Sequence, residues 1–131
     1  MFLDASAIIA IIARESDAAS LAARLGQAAR VITSPIAVYE SVLGLARVGN
    51  TSIADATAML ERFLDEVNAT VVPIDAACGR EAIAAFERFG KGRHAAALNL
   101  GDCFAYACAR AFDLPVLCKG SDFPQTDIGI A

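Results

Sequence analysis

Apolar and polar positions along this chain alternate between two periods. Met1 to Leu3 is a short apolar start, and Asp4 can cap a helix beginning at Ala5 or Ser6. Between Asp17 and Arg30, Leu21, Ala22, Leu25 and Ala29 recur at helical spacing. Val31-Ile32-Thr33 reads as a buried strand, and Ser34-Pro35 supplies an N-cap followed by proline in the first turn. The helix it starts should reach Val48 and stop at Gly49. Ser52 and Asp55 have capping-box spacing, and the helix beyond them should bury Met59, Leu60, Phe63, Leu64 and Val67. Thr70 to Ile74 is strand-like, and Asp75 caps a helix running through Phe89 to Gly90. Lys91 to Ala97 reads as a loop. Gly101-Asp102 opens a helix through Arg110, Pro115 to Cys118 forms another strand, and Ile128 to Ile130 is a candidate last one.

Short apolar strands alternating with helices of ten or more residues predict parallel βαβ units. Right-handed crossovers then lay helices on both faces of an open sheet. In such sheets ligands bind beyond the carboxyl ends of the strands. The expected class is α/β.

Length and composition narrow this reading. The chain has 131 residues, suited to one domain over 1–131, and is 56% hydrophobic with 20% charged, so a packed globule is expected. MFLDASAIIAIIA at the start is apolar, but it carries Asp4 in place of a basic leader segment and is too short to span a membrane. A cytoplasmic protein without membrane attachment is the expectation. Cys78, Cys103, Cys108 and Cys118 form no C-x-x-C pair and lie in apolar stretches, as reduced core cysteines do. With 11 basic against 15 acidic residues the net charge is −4, which argues against a general nucleic-acid binder.

Four carboxylates change that picture. Asp4 follows the first strand, Glu40 sits in the helix after the second, Asp102 opens a late helix and Asp122 follows the last strand. In a parallel sheet all four reach one edge. Each also has a structural role open to it: Asp4 as a cap, Asp102 beside a helix dipole, Asp122 in a turn, Glu40 on a solvated helix face. Glu40 fits that role least, because Ile36, Ala37, Leu43 and Gly44 flank it on one helix face. Two carboxylates about 4 Å apart repel by about 4 kcal/mol at an effective dielectric near 20. A cluster of them calls for a cation, and Mg²⁺ or Mn²⁺ is the hard ion that takes oxygen ligands and activates water against phosphodiesters. Arg88, Lys91, Arg93 and His94, with Lys119 beside Asp122, are the basic groups available for an RNA backbone; an ordinary solvated loop explains the first four equally well.

The segments FLDASA, SPIAVYE, LNLGDCFAYACA and LPVLCKGSDFPQTDI, in this order over nearly the whole chain, resemble the PIN-domain ribonucleases, and among them the VapC toxins of toxin–antitoxin pairs. The resemblance implies a three-layer α/β/α fold with a central parallel sheet of four to five strands flanked by helices. It implies an Mg²⁺-dependent endoribonuclease, with Mn²⁺ able to substitute, restrained by a VapB-type antitoxin and assembled as a homodimer. By position, Asp4 and Asp102 match the principal metal ligands, and Glu40 and Asp122 the other acidic positions of the catalytic quartet. Ser6, Thr126 and Asp127 match accessory polar positions. Lys91, Arg93, His94 and Lys119 remain as RNA contacts. Two other readings compete: a catalytically silent PIN-like module acting in antitoxin complexes and autoregulation, and a phospho-accepting receiver domain, which lacks the acidic pair it would need after the first strand.

Overall fold

The computed structural model describes every residue, Met1–Ala131. Four short strands, β1 (Phe2–Leu3), β2 (Ile32–Thr33), β3 (Thr70–Val71) and β4 (Val116–Leu117), form one parallel sheet in the order β3-β2-β1-β4. Phe2 is in register with Ile32 on one side and Val116 on the other, and Thr33 with Val71. Helices α1 (Ala5–Ile12) and α2 (Ala18–Leu25) join β1 to β2, and α3 (Pro35–Gly49) and α4 (Ile53–Glu66) join β2 to β3. The chain then returns through α5 (Ala76–Phe89) and α6 (Leu100–Ala111) to pair β4 on the far side of β1. The direction of winding reverses there.

Side-chain parity along the strands divides the interior into two layers. Phe2, Ile32 and Val116 face α5 and α6 and join Phe89, Leu98 and Tyr106 in one cluster. Their neighbours Leu3, Val31 and Leu117 point the other way and pack with Ile8, Leu21, Leu45, Leu60 and Leu64 from α1 to α4. Successive residues in a strand must face opposite sides, so even two-residue strands divide a three-layer fold cleanly. All four cysteines are reduced and buried.

Several boundaries differ from those the pattern predicts. The second helix stops at Leu25 with Gly26 as its cap, short of Arg30. Helix α3 includes Gly49 and ends at Asn50, whose left-handed backbone (φ 46°) closes it; asparagine tolerates that conformation better than most residues. Ser52 accepts from the Asp55 amide at 3.0 Å and donates to its carboxylate, but Met59 on the same helix is 45% exposed while Leu60 and Leu64 are buried. One face of α4 is covered, and Met59 lies off it. The stretch Thr70 to Ile74 yields only the two-residue edge strand β3, and Ile128 to Ile130 contributes a single bridge from Ile130 to Val116. Helix α6 begins at Leu100, one residue before the Gly101 start that the sequence suggests, because Asn99 caps it.

The C-terminal segment is held against α5 and α6 by Asp127. Its Oδ1 accepts from the Tyr106 hydroxyl at 2.5 Å and its Oδ2 from Arg88 at 2.6 Å, with Arg110 at 3.7 Å. Thr126 donates to the Phe123 carbonyl at 2.7 Å and accepts from the Ile128 amide at 3.2 Å, closing the turn before it. Tyr106 is fully buried, and its hydroxyl donates to Asp127. Replacing Tyr106 by Phe removes a charge-assisted donor without opening a cavity, and should cost about 1–2 kcal/mol of unfolding free energy in a urea titration. A change below a few tenths would show that the Arg88 and Arg110 contacts alone hold the segment.

Candidate active site

The carboxyl ends of β1 and β2 deliver two side chains to one cleft, and α6 adds a third. Asp4 directly follows β1 and is the N-cap of α1, accepting from the Ser6 amide at 2.9 Å and the Ser6 hydroxyl at 2.5 Å. That hydroxyl also accepts from the Lys119 amide at 3.0 Å, so one serine joins β1, α1 and the loop after β4. The Thr33 hydroxyl donates to the Leu3 carbonyl at 2.9 Å, holding the peptide just ahead of Asp4 from the neighbouring strand. The structural role open to Asp4 is therefore real, and it does not remove the residue from the cleft: only 4% of Asp4 is exposed, and the cleft wall includes it.

Glu40 projects from the second turn of α3, which Ser34 starts by accepting from the Ala37 amide at 3.2 Å. Its carboxylate lies against the backbone of Gly101, where an added Cβ would collide with both carboxylate oxygens. Asp102 sits one residue further on. Its Oδ2 accepts from the Asn99 amide at 2.9 Å while the Asn99 side chain accepts from the Asp102 amide at 3.0 Å, a reciprocal capping box. Asp4, Ser6, Tyr39, Glu40, Arg47 and Asp102 line a cleft of about 530 Å³.

The electrostatics follow from that arrangement. Burial pushes the Asp4 carboxyl above its usual range, against the opposing effect of the Ser6 bonds. Burial also raises Glu40, reinforced by the charges of Asp4 and Asp102. Asp102 is pushed up to about 6, first by burial and then by Asp4 and Asp122, although the Asn99 amide works in the other direction. Asp122, exposed in the loop after β4, thus stands within electrostatic reach of Asp102. The Cys118 thiol is raised to about 12, by burial and by the Asp4 carboxylate among others, so it stays protonated near neutral pH.

These donors are all oxygens, and the charged forms of three of them are disfavoured where they stand. That chemistry fits a hard divalent cation and not a thiolate- or imidazole-bound one. No three of the side chains close around a single point, so a cation would have to draw them inward or be bound partly through water.

The remaining polar residues singled out in the sequence lie elsewhere. Asp127 is committed to the Tyr106–Arg88–Arg110 contacts and Thr126 to its turn. Lys119 pairs with Glu15, and with Asp17 at 3.5 Å. His94 accepts from the Ala96 amide through Nδ1 at 3.1 Å and stands edge-on to the Phe89 ring, which shapes the loop before α6. Arg93 lies over Phe86, 5.8 Å from the ring centre, and Lys91 is exposed. None of Lys91, Arg93, His94 and Lys119 lines the cleft. The cleft's cation is Arg47, which the sequence pattern does not single out, and the exposed ring of Tyr39 lines it too. Spacing from Glu40 is the signal that could have found Arg47, since it lies seven residues on and returns to the same helix face.

A parallel sheet with acidic side chains gathered beyond its carboxyl edge defines the class, and likeness to known proteins agrees. The PIN domain family matches residues 1–129, and this chain belongs to that family. A VapC ribonuclease of Rhizobium meliloti is 38% identical over 140 residues, covering 98% of this chain and 99% of the relative. Ribonuclease VapC36 of Mycobacterium tuberculosis is also 38% identical, over 130 residues and covering 98% and 91%. Among solved structures, the Mycobacterium tuberculosis toxin VapC20, described as cleaving the sarcin-ricin loop, superposes with a TM-score of 0.77 at 17% identity, covering 99% and 97%. A toxin–antitoxin complex from Klebsiella pneumoniae superposes with a TM-score of 0.70 at 15% identity, covering 99% and 95%. These last two likenesses concern the fold. No helix is long and apolar enough to cross a membrane.

The raised pKa of Asp102 makes a stability prediction. Its carboxyl titrates near 3.8 when unfolded and near 6 when folded, so the folded state binds the extra proton. Without divalent cation, stability should fall as pH rises from about 4 to about 6 and stay lower above. Asp102→Asn keeps an oxygen acceptor for the Asn99 amide and removes the charge. In EDTA at pH 7 its Tm should be roughly 2–5 °C above the parent, with a flatter pH profile, measured by thermal scans. A lower Tm at pH 7 would mean the carboxylates do not strain the apo fold.

Proposed function

We propose that this protein is an Mg²⁺-dependent endoribonuclease acting as the toxin of a type II toxin–antitoxin pair, with Mn²⁺ able to substitute. The observation that carries this reading is the convergence of Asp4, Glu40 and Asp102 in one cleft at charge-disfavouring positions. The ribonuclease names of its relatives support the same chemistry. Asp4 and Asp102 would be the principal ligands, with Asp122 reaching in from the β4 loop and Glu40 completing the set or orienting the attacking water. When bound, the metal would lower the pKa of that water and offset charge on the scissile phosphate. The chain's own contribution is positional. Ser6 holds the Asp4 carboxylate, the Asn99 box holds one Asp102 oxygen while leaving the other unpaired, and Gly101 leaves space for Glu40.

A VapB-type antitoxin as restraining partner is supported by the VapC relatives and by the toxin–antitoxin neighbour in fold. A homodimer in the cytoplasm completes the proposal. An apolar face at α5 and α6, where Ile83 is 72% and Leu100 67% exposed, favours self-association.

Purified protein should cleave single-stranded RNA in Mg²⁺ or Mn²⁺ and stop in EDTA, and Asp102→Asn should lose cleavage while keeping its fold by circular dichroism. Full activity of that variant would remove Asp102 from the chemistry. Gly101→Ala is the finer probe. Alanine favours a helix, so stability should hold or rise, whereas the displaced Glu40 carboxylate should lower kcat by roughly 10- to 100-fold. Unchanged turnover would show that Glu40 is not held where it is needed.

A further inference from the structure

Three residues four apart on α3, Tyr39, Leu43 and Arg47, form one continuous edge of the cleft that holds Asp4, Glu40 and Asp102. All three face outward: Tyr39 is 64% and Leu43 42% exposed, and Arg47 is an exposed cation. Arg47 is the one basic residue among the cleft's lining side chains. Its guanidinium makes no hydrogen bond and no ion pair, even though three carboxylates share its cleft. What sets Arg47 apart is its place beside the carboxylates, since several other basic residues also form no ion pair. Arg88, Arg110 and Lys119 are each engaged by carboxylates away from the cleft. An arginine left with all its donors free beside an acidic floor has no structural employment there, and its fork suits phosphate oxygens.

Tyr39 supplies the second half of the argument. A largely exposed aromatic ring on a rigid helix stabilises nothing in the folded chain, yet it offers a flat face to a planar group. Residues 39 and 47 stand about 12 Å apart along the helix axis, which leaves room for a base at one end and a backbone phosphate at the other. A base can reach such a ring only when it is unpaired and unstacked.

We propose that the Tyr39–Leu43–Arg47 edge of α3 is the substrate-positioning wall of the cleft, on which Tyr39 stacks an unpaired RNA base and Arg47 takes a backbone phosphate. This rests on the nuclease reading above and adds the residues that hold the strand: an unpaired base on Tyr39 and its backbone phosphate on Arg47. Neither side chain takes part in the bond-breaking step. The free guanidinium of Arg47 and the cleft it shares with the carboxylates favour a phosphate-bearing RNA strand over a protein helix as the occupant of this edge.

The test is a KM-against-kcat comparison in Mn²⁺ on a synthetic RNA hairpin with an unpaired loop and on a blunt duplex of the same sequence. The parent, Asp102→Asn, Tyr39→Ala, Tyr39→Phe, Arg47→Ala and Arg47→Lys are run together, with Tm recorded for each. Both wall positions are exposed, so Tm should not move. Tyr39→Ala should raise KM on the hairpin roughly 5- to 100-fold with kcat nearly unchanged, and Tyr39→Phe should restore it. Arg47→Ala should raise KM and reduce the slope of log KM against log salt by about one, with Arg47→Lys recovering the slope. The parent should cleave the duplex poorly. KM values for Tyr39→Ala and Arg47→Ala equal to the parent's would overturn the wall while leaving the nuclease intact. Variants that lose only antitoxin binding would overturn it too, and would make the edge a protein-docking face. A parent without EDTA-sensitive cleavage sinks both readings.

Discussion

The buried carboxylate of Asp4 is the constraint around which the cleft is built. It sits at the end of β1, between β2 and β4, where the winding of the sheet reverses. Burial there disfavours its charge, and the Ser6 amide and hydroxyl work against that within the chain. A carboxylate so placed is tolerated when it is protonated, hydrogen-bonded or paired with a cation, and Ser6 supplies the hydrogen bonds here.

Each neighbouring element then serves the same small volume. Helix α1 begins on Asp4, and its second residue, Ser6, also ties the β4 loop. Helix α3 brings Glu40 against α6 at a contact that only Gly101 permits, since any side chain there would occupy the space of the carboxylate. Helix α6 uses Asp102 twice, once as a cap for its own N-terminus and once as a wall of the cleft. Capping and cleft roles look like alternatives in the sequence. In three dimensions one carboxylate serves both.

Local signals carry most of the architecture. Ser34-Pro35, Asp75 and the Ser52–Asp55 pair mark helix starts by chemistry that acts over a few residues, and all three cap the helices they precede. The pattern overestimates strand lengths, because apolar runs such as Thr70 to Ile74 continue past the point where a partner strand is available. Asn99 is hidden as a cap because its partner, Asp102, stands out as an acid. Lys119 stands out by its nearness to Asp122 and Asp127 by the family resemblance, and each is engaged by charges far along the chain, Glu15 in one case and Arg88 in the other. Arg47 and Tyr39 are invisible for the converse reason. Only their helical spacing around Glu40 distinguishes them from ordinary surface residues.

By itself, the sequence determined the class of fold and the order of its elements and singled out four acids as candidates, because periodicity, capping and motif order are properties of neighbouring residues. Only the tertiary structure decided which side chains share the cleft and which basic groups are free to meet a substrate. Those outcomes depend on contacts between residues tens of positions apart, where small differences in helix rotation and close approach, as at Gly101, choose the partner.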